Sequence, residues 1–307
     1  MVNFRYHLVS LIAVFLALAV GVCLGAGPLQ NAVSAALDGS GESRNIERLQ
    51  EQMQEYADQV DDQNQFMDSL AERALAGKLE GLSVATVALG AGSEETLAQI
   101  SAYVEAAGGS VEANVELSQS WTSVSDRTYR DTLAASVTSY LSNDPVNATS
   151  AGALAQALLE VLTLESSETD LLRDILVSER MPMVIEETLP DAPVQAVILL
   201  GSDTSSSGES AQSGAVTTDE LSVVQPLWVA LADTLATTTG GGVALGEAQK
   251  DTDFITVLRN GGSKITTVDG INTRQGIYNA VAALALTDGK AYGTGLGAET
   301  AAVPTTD

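Results

Sequence analysis

The segment Leu8–Gly27 (LVSLIAVFLALAVGVCLGAG) runs for twenty residues without a charge. A helix of about 20 apolar residues is what a hydrocarbon core of roughly 30 Å demands, and no second stretch of this kind occurs in the chain. The pattern describes one membrane crossing near the start, with nearly all of the remaining chain on one side. Arg5 and the amino terminus precede it, with His7 at its edge, while the first charges after it are Asp38 and Glu42. Positive charge stays on the cytoplasmic side. The N-terminus is therefore expected in the cytoplasm and the bulk of the chain outside the plasma membrane.

A cleaved signal peptide is an alternative. Its apolar region spans roughly 7–15 residues and ends at a small-x-small site. Here the run is longer, and the best candidate, Leu24-Gly25-Ala26, sets a bulky residue where a small one is wanted. Lipidation at Cys23 would have to follow Val20-Gly21-Val22, with a branched residue directly before the cysteine. An uncleaved signal-anchor over residues 1–28 fits better than either. Ala13, Ala17, Gly21 and Gly25 recur every fourth residue and end in a GxxxG. Such a row lets two helix backbones approach closely in lipid, although small residues are frequent in membrane helices in any case. These four residues are the expected membrane-dimer face.

Residues 29–81 form a juxtamembrane segment and a coiled coil, with heptads over 43–74. Ile46, Met53, Val60, Met67 and Ala74 fall every seven residues, and Leu49, Tyr56, Gln63 and Leu70 fall every seven, three positions later. That is an a/d seam, with Gln63 its one clearly polar member. The outward positions are acidic or amide, among them Glu51, Glu55, Asp58, Asp61 and Asp62. A helix of this length makes a rod of roughly 45 Å. The competing reading is an amphipathic helix lying on its own globular domain, but the seam is narrower than the broad stripe such a helix carries. Two parallel crossings leading into two parallel heptad helices make a parallel homodimer the expectation. Asp38-Gly39-Ser40-Gly41-Glu42-Ser43 should break any helix continuous from the membrane, since each glycine costs about 1 kcal/mol, and Ser43 suits an N-cap. Gly77–Gly81 should end the rod.

Residues 82–298 read as an extracytoplasmic α/β domain with a mostly parallel sheet and helices on both faces, because strand and helix patterns alternate. Strands are expected at Leu82–Leu89, Val111–Leu117, Met183–Glu187, Val194–Leu200, Val243–Leu245 and Lys264–Val268. Helices are expected from Ser93 to about Ala107, then at 126–141, 151–164, 169–178, 221–237 and 274–286. Gly201–Asp219 is a Ser- and Gly-rich low-complexity loop, and Glu299–Asp307 reads as a flexible tail.

Lys plus Arg number 14 against 40 Asp plus Glu, a formal charge of −26. Nucleic-acid binding needs a basic footprint that this chain lacks, and adhesion to anionic lipid is disfavoured too. The one histidine and the one cysteine lie at or in the membrane segment. The distal domain therefore offers no Ser/His/Asp or Cys/His arrangement, no histidine metal site and no disulfide. Catalytic, cofactor and metal residues are all expected to be none. Gly90-Ala91-Gly92 after a strand has the start of a dinucleotide loop, but Ser93-Glu94-Glu95 follows in place of the third glycine. An ordinary βα turn is the better reading. Met181-Pro182-Met183 pairs two thioethers, which suit Cu(I), but without a nearby Cys or His packing is the better reading.

The opening Arg5-Tyr6-His7-Leu8-Val9-Ser10-Leu11-Ile12-Ala13-Val14-Phe15-Leu16-Ala17-Leu18-Ala19, continued by Gly21 and Leu24-Gly25, resembles the start of the actinobacterial copper transporter MctB family. Gly289-Lys290-Ala291-Tyr292-Gly293-Thr294-Gly295 is similar to that family's G-x-x-Y-G-T-G end. The acidic, Ser-rich insert and short tail are most like the corynebacterial SteB type. That type implies a non-enzymatic scaffold working with the membrane protein SteA at the division septum, regulating a peptidoglycan hydrolase in daughter-cell separation. The family name implies instead copper transport or efflux through the mycolate envelope, with copper as the only metal in question. One crossing cannot form a pore by itself, and copper ligands are scarce. The residues therefore rank the septal scaffold first and copper transport as its alternative. The partners expected are a second copy of the chain, a SteA-like membrane protein and a peptidoglycan hydrolase.

Overall fold

The structure is a computed structural model that describes residues 40–90, 92–178, 180–185, 188–201 and 220–304. The apolar segment 8–27, with Ala13, Ala17, Gly21 and Gly25, lies outside the described residues. Among those described, no helix is long and apolar enough to cross a membrane. The chain divides into two units, residues 1–64 and 65–307.

Helix α1, Ser40–Leu75, covers the heptad region. It begins ahead of Ser43 and takes in Gly41, where a break was expected. One glycine costs only about 1 kcal/mol, and a helix of this length absorbs that because each further residue adds a hydrogen bond. The described part of the first unit is the stretch of α1 up to Asn64.

The second unit is built on six parallel strands: β1 Ser83–Leu89, β2 Ser110–Leu117, β3 Ala196–Leu200, β4 Gly242–Gly246, β5 Thr266–Asp269 and β6 Ala291–Tyr292. Their order is β2-β1-β3-β4-β5-β6. The chain thus turns from β1 to one neighbour and later returns to the other, the reversal typical of doubly wound sheets. β3 and β4 are buried along their whole length, as strands covered on both faces must be, and they read as unbroken apolar runs. β2 is an edge strand and carries Glu112 and Glu116, charges that discourage edge pairing.

Alternation along the strands feeds two cores. On one face Ala85, Val87, Val197, Leu199 and Ala244 meet helices α3 (Arg127–Val137), α4 (Ser150–Thr163), α5 (Ser167–Leu176), α6 (Leu221–Leu235) and α7 (Phe254–Asn260). On the other, Val84, Ala88, Ile198, Leu200, Val243 and Val268 meet the end of α1, α2 (Glu94–Ala106) and α8 (Arg274–Leu284). Helices on both faces of a parallel sheet are what the sequence pattern predicts.

Three segments differ from the sequence reading. Of the expected strand Met183–Glu187, the described residues Met183–Ile185 form no strand. Val184 makes a single antiparallel bridge to Leu117, held by Ser118 N donating to Met183 O at 3.0 Å and Ile185 N donating to Glu116 O at 3.0 Å. Pro182 lacks the N–H that would lengthen the pairing. Second, α7 and the two-residue β6 were not anticipated, because elements of seven and two residues are too short for a periodicity to register. Third, residues 299–304 are not a loose tail. Gly293 N donates to Thr300 O at 2.8 Å. The buried Asn279 donates to Ala301 O at 3.0 Å and accepts from Val303 N at 3.3 Å.

Candidate functional site

The coiled-coil seam residues fall into two groups. Ile46, Leu49, Met53, Tyr56 and Val60 stand 52–71 % exposed, and Gln63 is exposed as well. A row of large apolar side chains in water is the mark of an interaction surface. Phe66, which the heptad reading passes over, is 69 % exposed. Met67 and Ala74 instead pack partly buried against the second core, where Ala71 and Leu75 are fully buried. Leu70 stays 43 % exposed. The face turned to the domain thus includes the a positions 67 and 74 but adds 71 and 75 in place of the d position 70, a stripe rotated from the a/d seam.

Polar bonds fix this last part of α1. Asp68 accepts hydrogen bonds from the Tyr103 hydroxyl and from Gln99 Nε2 on α2, and Arg274 Nε of α8 stands 3.8 Å from its carboxylate. Burial pushes the Tyr103 phenol well above its ordinary pKa, and the bond to Asp68 and its negative charge push it further.

The Gly289–Gly295 motif forms a clamp. Asp269, at the end of β5, accepts from Thr294 N at 2.9 Å and Gly295 N at 3.0 Å through Oδ1. Through Oδ2 it accepts from Arg259 Nη1 at 3.0 Å. Arg259 also donates to Tyr292 O, Leu296 O and Thr267 Oγ1. Both side chains are almost fully buried, 7 % and 3 % exposed. Gly293 has φ +125°, and a Cβ there would collide with the Asp269 carboxylate. Tyr292 donates to Asp288 at 2.8 Å, and its phenol is pushed up to about 12, chiefly by burial and then by Asp288. Every polar group of the pair has a partner, so the motif is a stabilising device and leaves no open position for chemistry. Sequence reasoning missed Arg259 and Asp269. The signal was an Asp closing a strand of β-branched residues, Thr266-Thr267-Val268-Asp269, before a Gly, in a chain with few cations.

Gly90 has φ +99°, as a tight βα turn needs. Glu94 and Glu95 occupy the first turn of α2, where they would repel a phosphate. Met183 is fully buried in the core, which makes the Met181-Pro182-Met183 sequence a packing feature. Among the described residues no group of three or more His, Cys, Asp or Glu could hold a metal ion.

The chain matches the protein family described as "Copper transport outer membrane protein, MctB" over residues 1–303. It is 34 % identical over 123 residues to the proteins named copper transporter MctB of Mycobacterium bovis and Mycobacterium tuberculosis. That stretch covers 39 % of this chain and 38 % of each relative's length. The family is named for transport and not for a catalysed reaction. From its apolar opening to the Asn279-bound end of its α/β domain, the chain belongs to the MctB copper transport family.

Proposed function

We propose that this protein is a non-enzymatic, single-pass component of the cell envelope that takes part in copper transport and homeostasis as a parallel homodimer. The match to the MctB family over residues 1–303 carries this reading, and the names of the mycobacterial relatives favour copper over the septal role that the residues alone put first. Copper here is cargo; no cofactor is proposed. The soft donors among the described residues are methionines, of which Met53 stands exposed on the α1 stripe. The copper reading thus rests on membership and not on a metal-binding geometry. The bulk of the chain lies outside the plasma membrane in this reading. The dimer is supported by the exposed row Ile46, Leu49, Met53, Tyr56 and Val60, whose a/d spacing suits an identical helix in register.

A second reading follows from that same surface. As a protein of the SteB type, the dimer would present α1 and the α/β domain to a SteA-like membrane protein and a peptidoglycan hydrolase at the septum. A deletion strain separates the two. Copper hypersensitivity and raised cell copper with normal septation are expected from the first reading. Chained or branched cells with ordinary copper tolerance would overturn it in favour of the second.

A further inference from the structure

Residues of α3, α4 and α6 line a half-open pocket of about 550 Å³, inside the range of roughly 300–1,000 Å³ usual for small-molecule sites. Arg130 of α3 lines it and is 3 % exposed. Its Nη1 donates to Ser120 O at 2.8 Å and Ser123 O at 2.5 Å. A guanidinium has five N–H donors, so two carbonyls leave most of its capacity unused. Among the described residues no carboxylate forms an ion pair with it. Burial pulls the pKa of this guanidinium down, while Asp126 and Asp131 favour its charged form from beyond ion-pair distance. A second arginine, Arg127, stands at the rim, 4.0 Å from Asp131, with both side chains more than half exposed. That pair is weak.

The neighbouring wall supplies further donors. Ser150 and Ala151, the first two residues of α4, line the cavity. Thr149 takes up the next two amides of that turn, accepting from Gly152 N through its side chain and from Ala153 N through its carbonyl. The amides of Ser150 and Ala151 remain at the positive end of a fourteen-residue helix. The opposite wall is apolar. Val223, Pro226, Leu227 and Ala230 recur at i, i+3, i+4 and i+7 on one face of α6.

We propose that this cavity binds a small amphiphilic anion. A carboxylate or phosphate head sits against Arg130, Arg127 and the first turn of α4, and an apolar body lies along α6. The buried arginine, with no carboxylate at ion-pair distance among the described residues, carries the proposal, and the helix terminus adds to it. In a chain of charge −26 an anion gains nothing from the overall field, so binding depends on this local set.

The two tryptophans of the chain report on the site. Trp121 lies between Ser120 and Ser123, whose carbonyls hold Arg130, and Trp228 lies on α6. The full chain in phosphatidylcholine nanodiscs is titrated with octanoate, octyl phosphate, octanol and inorganic phosphate. Tryptophan emission is followed, with empty nanodiscs as the blank. Saturable binding of octanoate or octyl phosphate is expected, whichever head is preferred, with octanol and inorganic phosphate each at least about tenfold weaker, as the loss of one charge-assisted contact implies. Leu227→Glu should abolish binding and Arg127→Ala should weaken it several-fold, both with unchanged melting temperature. Arg130→Met is informative only if it folds, and these two partly exposed positions stand in for it. Equal binding of octanol and octanoate, no saturable binding of either anion, or unaltered binding in Leu227→Glu would overturn the proposal.

Discussion

Between Ile46 and Val60 the apolar positions of α1 stand 52–71 % exposed, whereas Ala71 and Leu75, later in the same helix, are fully buried. Both stretches carry apolar residues at helical spacing, and both are flanked by acids and amides. What differs is the occupant of the apolar face. From Met67 onward it is the chain's own second core. Between Ile46 and Val60 that face stands exposed. Periodicity thus states which face of a helix is apolar, but only packing states what covers that face, and a small angular drift decides the matter. The domain keeps the a positions 67 and 74, adds 71 and 75 beside them, and leaves the d position Leu70 exposed.

The comparison predicts opposite responses to one kind of substitution. Leu75→Asp places a charge in a fully buried site and should cost upwards of about 4 kcal/mol, enough to unfold most domains. Leu49→Asp should leave the melting of the α/β domain unchanged, because Leu49 is 59 % exposed. Paired with Leu70→Asp, it should instead shift the protein from dimer to monomer by light scattering. Circular dichroism melts of the two single variants check the contrast. Equal melting temperatures would break it.

Next in size is the clamp that closes the domain far from α1. Asp269→Asn leaves the buried Arg259 without its carboxylate and should cost about 3 kcal/mol, a drop of roughly 6–12 °C in melting temperature for a domain of this size. Self-association should not change. A smaller effect is expected for Tyr103→Phe, which removes the donor to Asp68 and should destabilise by about 1 kcal/mol. It should also raise hydrogen exchange in the last turns of α1 ahead of the sheet.

The buried phenols of Tyr103, Tyr278 and Tyr292 also set an alkaline limit on the domain. A phenol whose pKa is raised on folding contributes stability that is complete below its unfolded value, near 10. That contribution is lost as pH climbs through the folded value. For Tyr292 the window runs from pH about 10 to about 12. Phenolate absorbance should rise together with loss of ellipticity in this window. A Tyr292→Phe variant, which has no phenol to ionise, should have a flatter stability profile across it.

Much of the fold is legible in the sequence because parallel strands buried on both faces must be apolar runs. Val194–Leu200 and Leu82–Leu89 announce themselves in that way. The α7 helix and β6 are not legible, since seven and two residues carry no period. The glycines of Gly289–Gly295 are conspicuous, but their reason is not, because it lies in a carboxylate twenty-four residues before Gly293. Arg130 is likewise an ordinary helix residue in the sequence. Only the packing of α3 on α4 reveals that it is buried.

Disulfide crosslinking of the full chain in its membrane tests the central claim, that the exposed stripe of α1 is a parallel, in-register seam with a second copy. In a Cys23→Ser background, single cysteines are placed at the seam positions Leu49 and Val60 and at the outward position Asp58. The account predicts rapid formation of a covalent dimer through position 49 and through position 60, and little through position 58. Absence of the dimer at the seam positions, or equal crosslinking at all three, would contradict it.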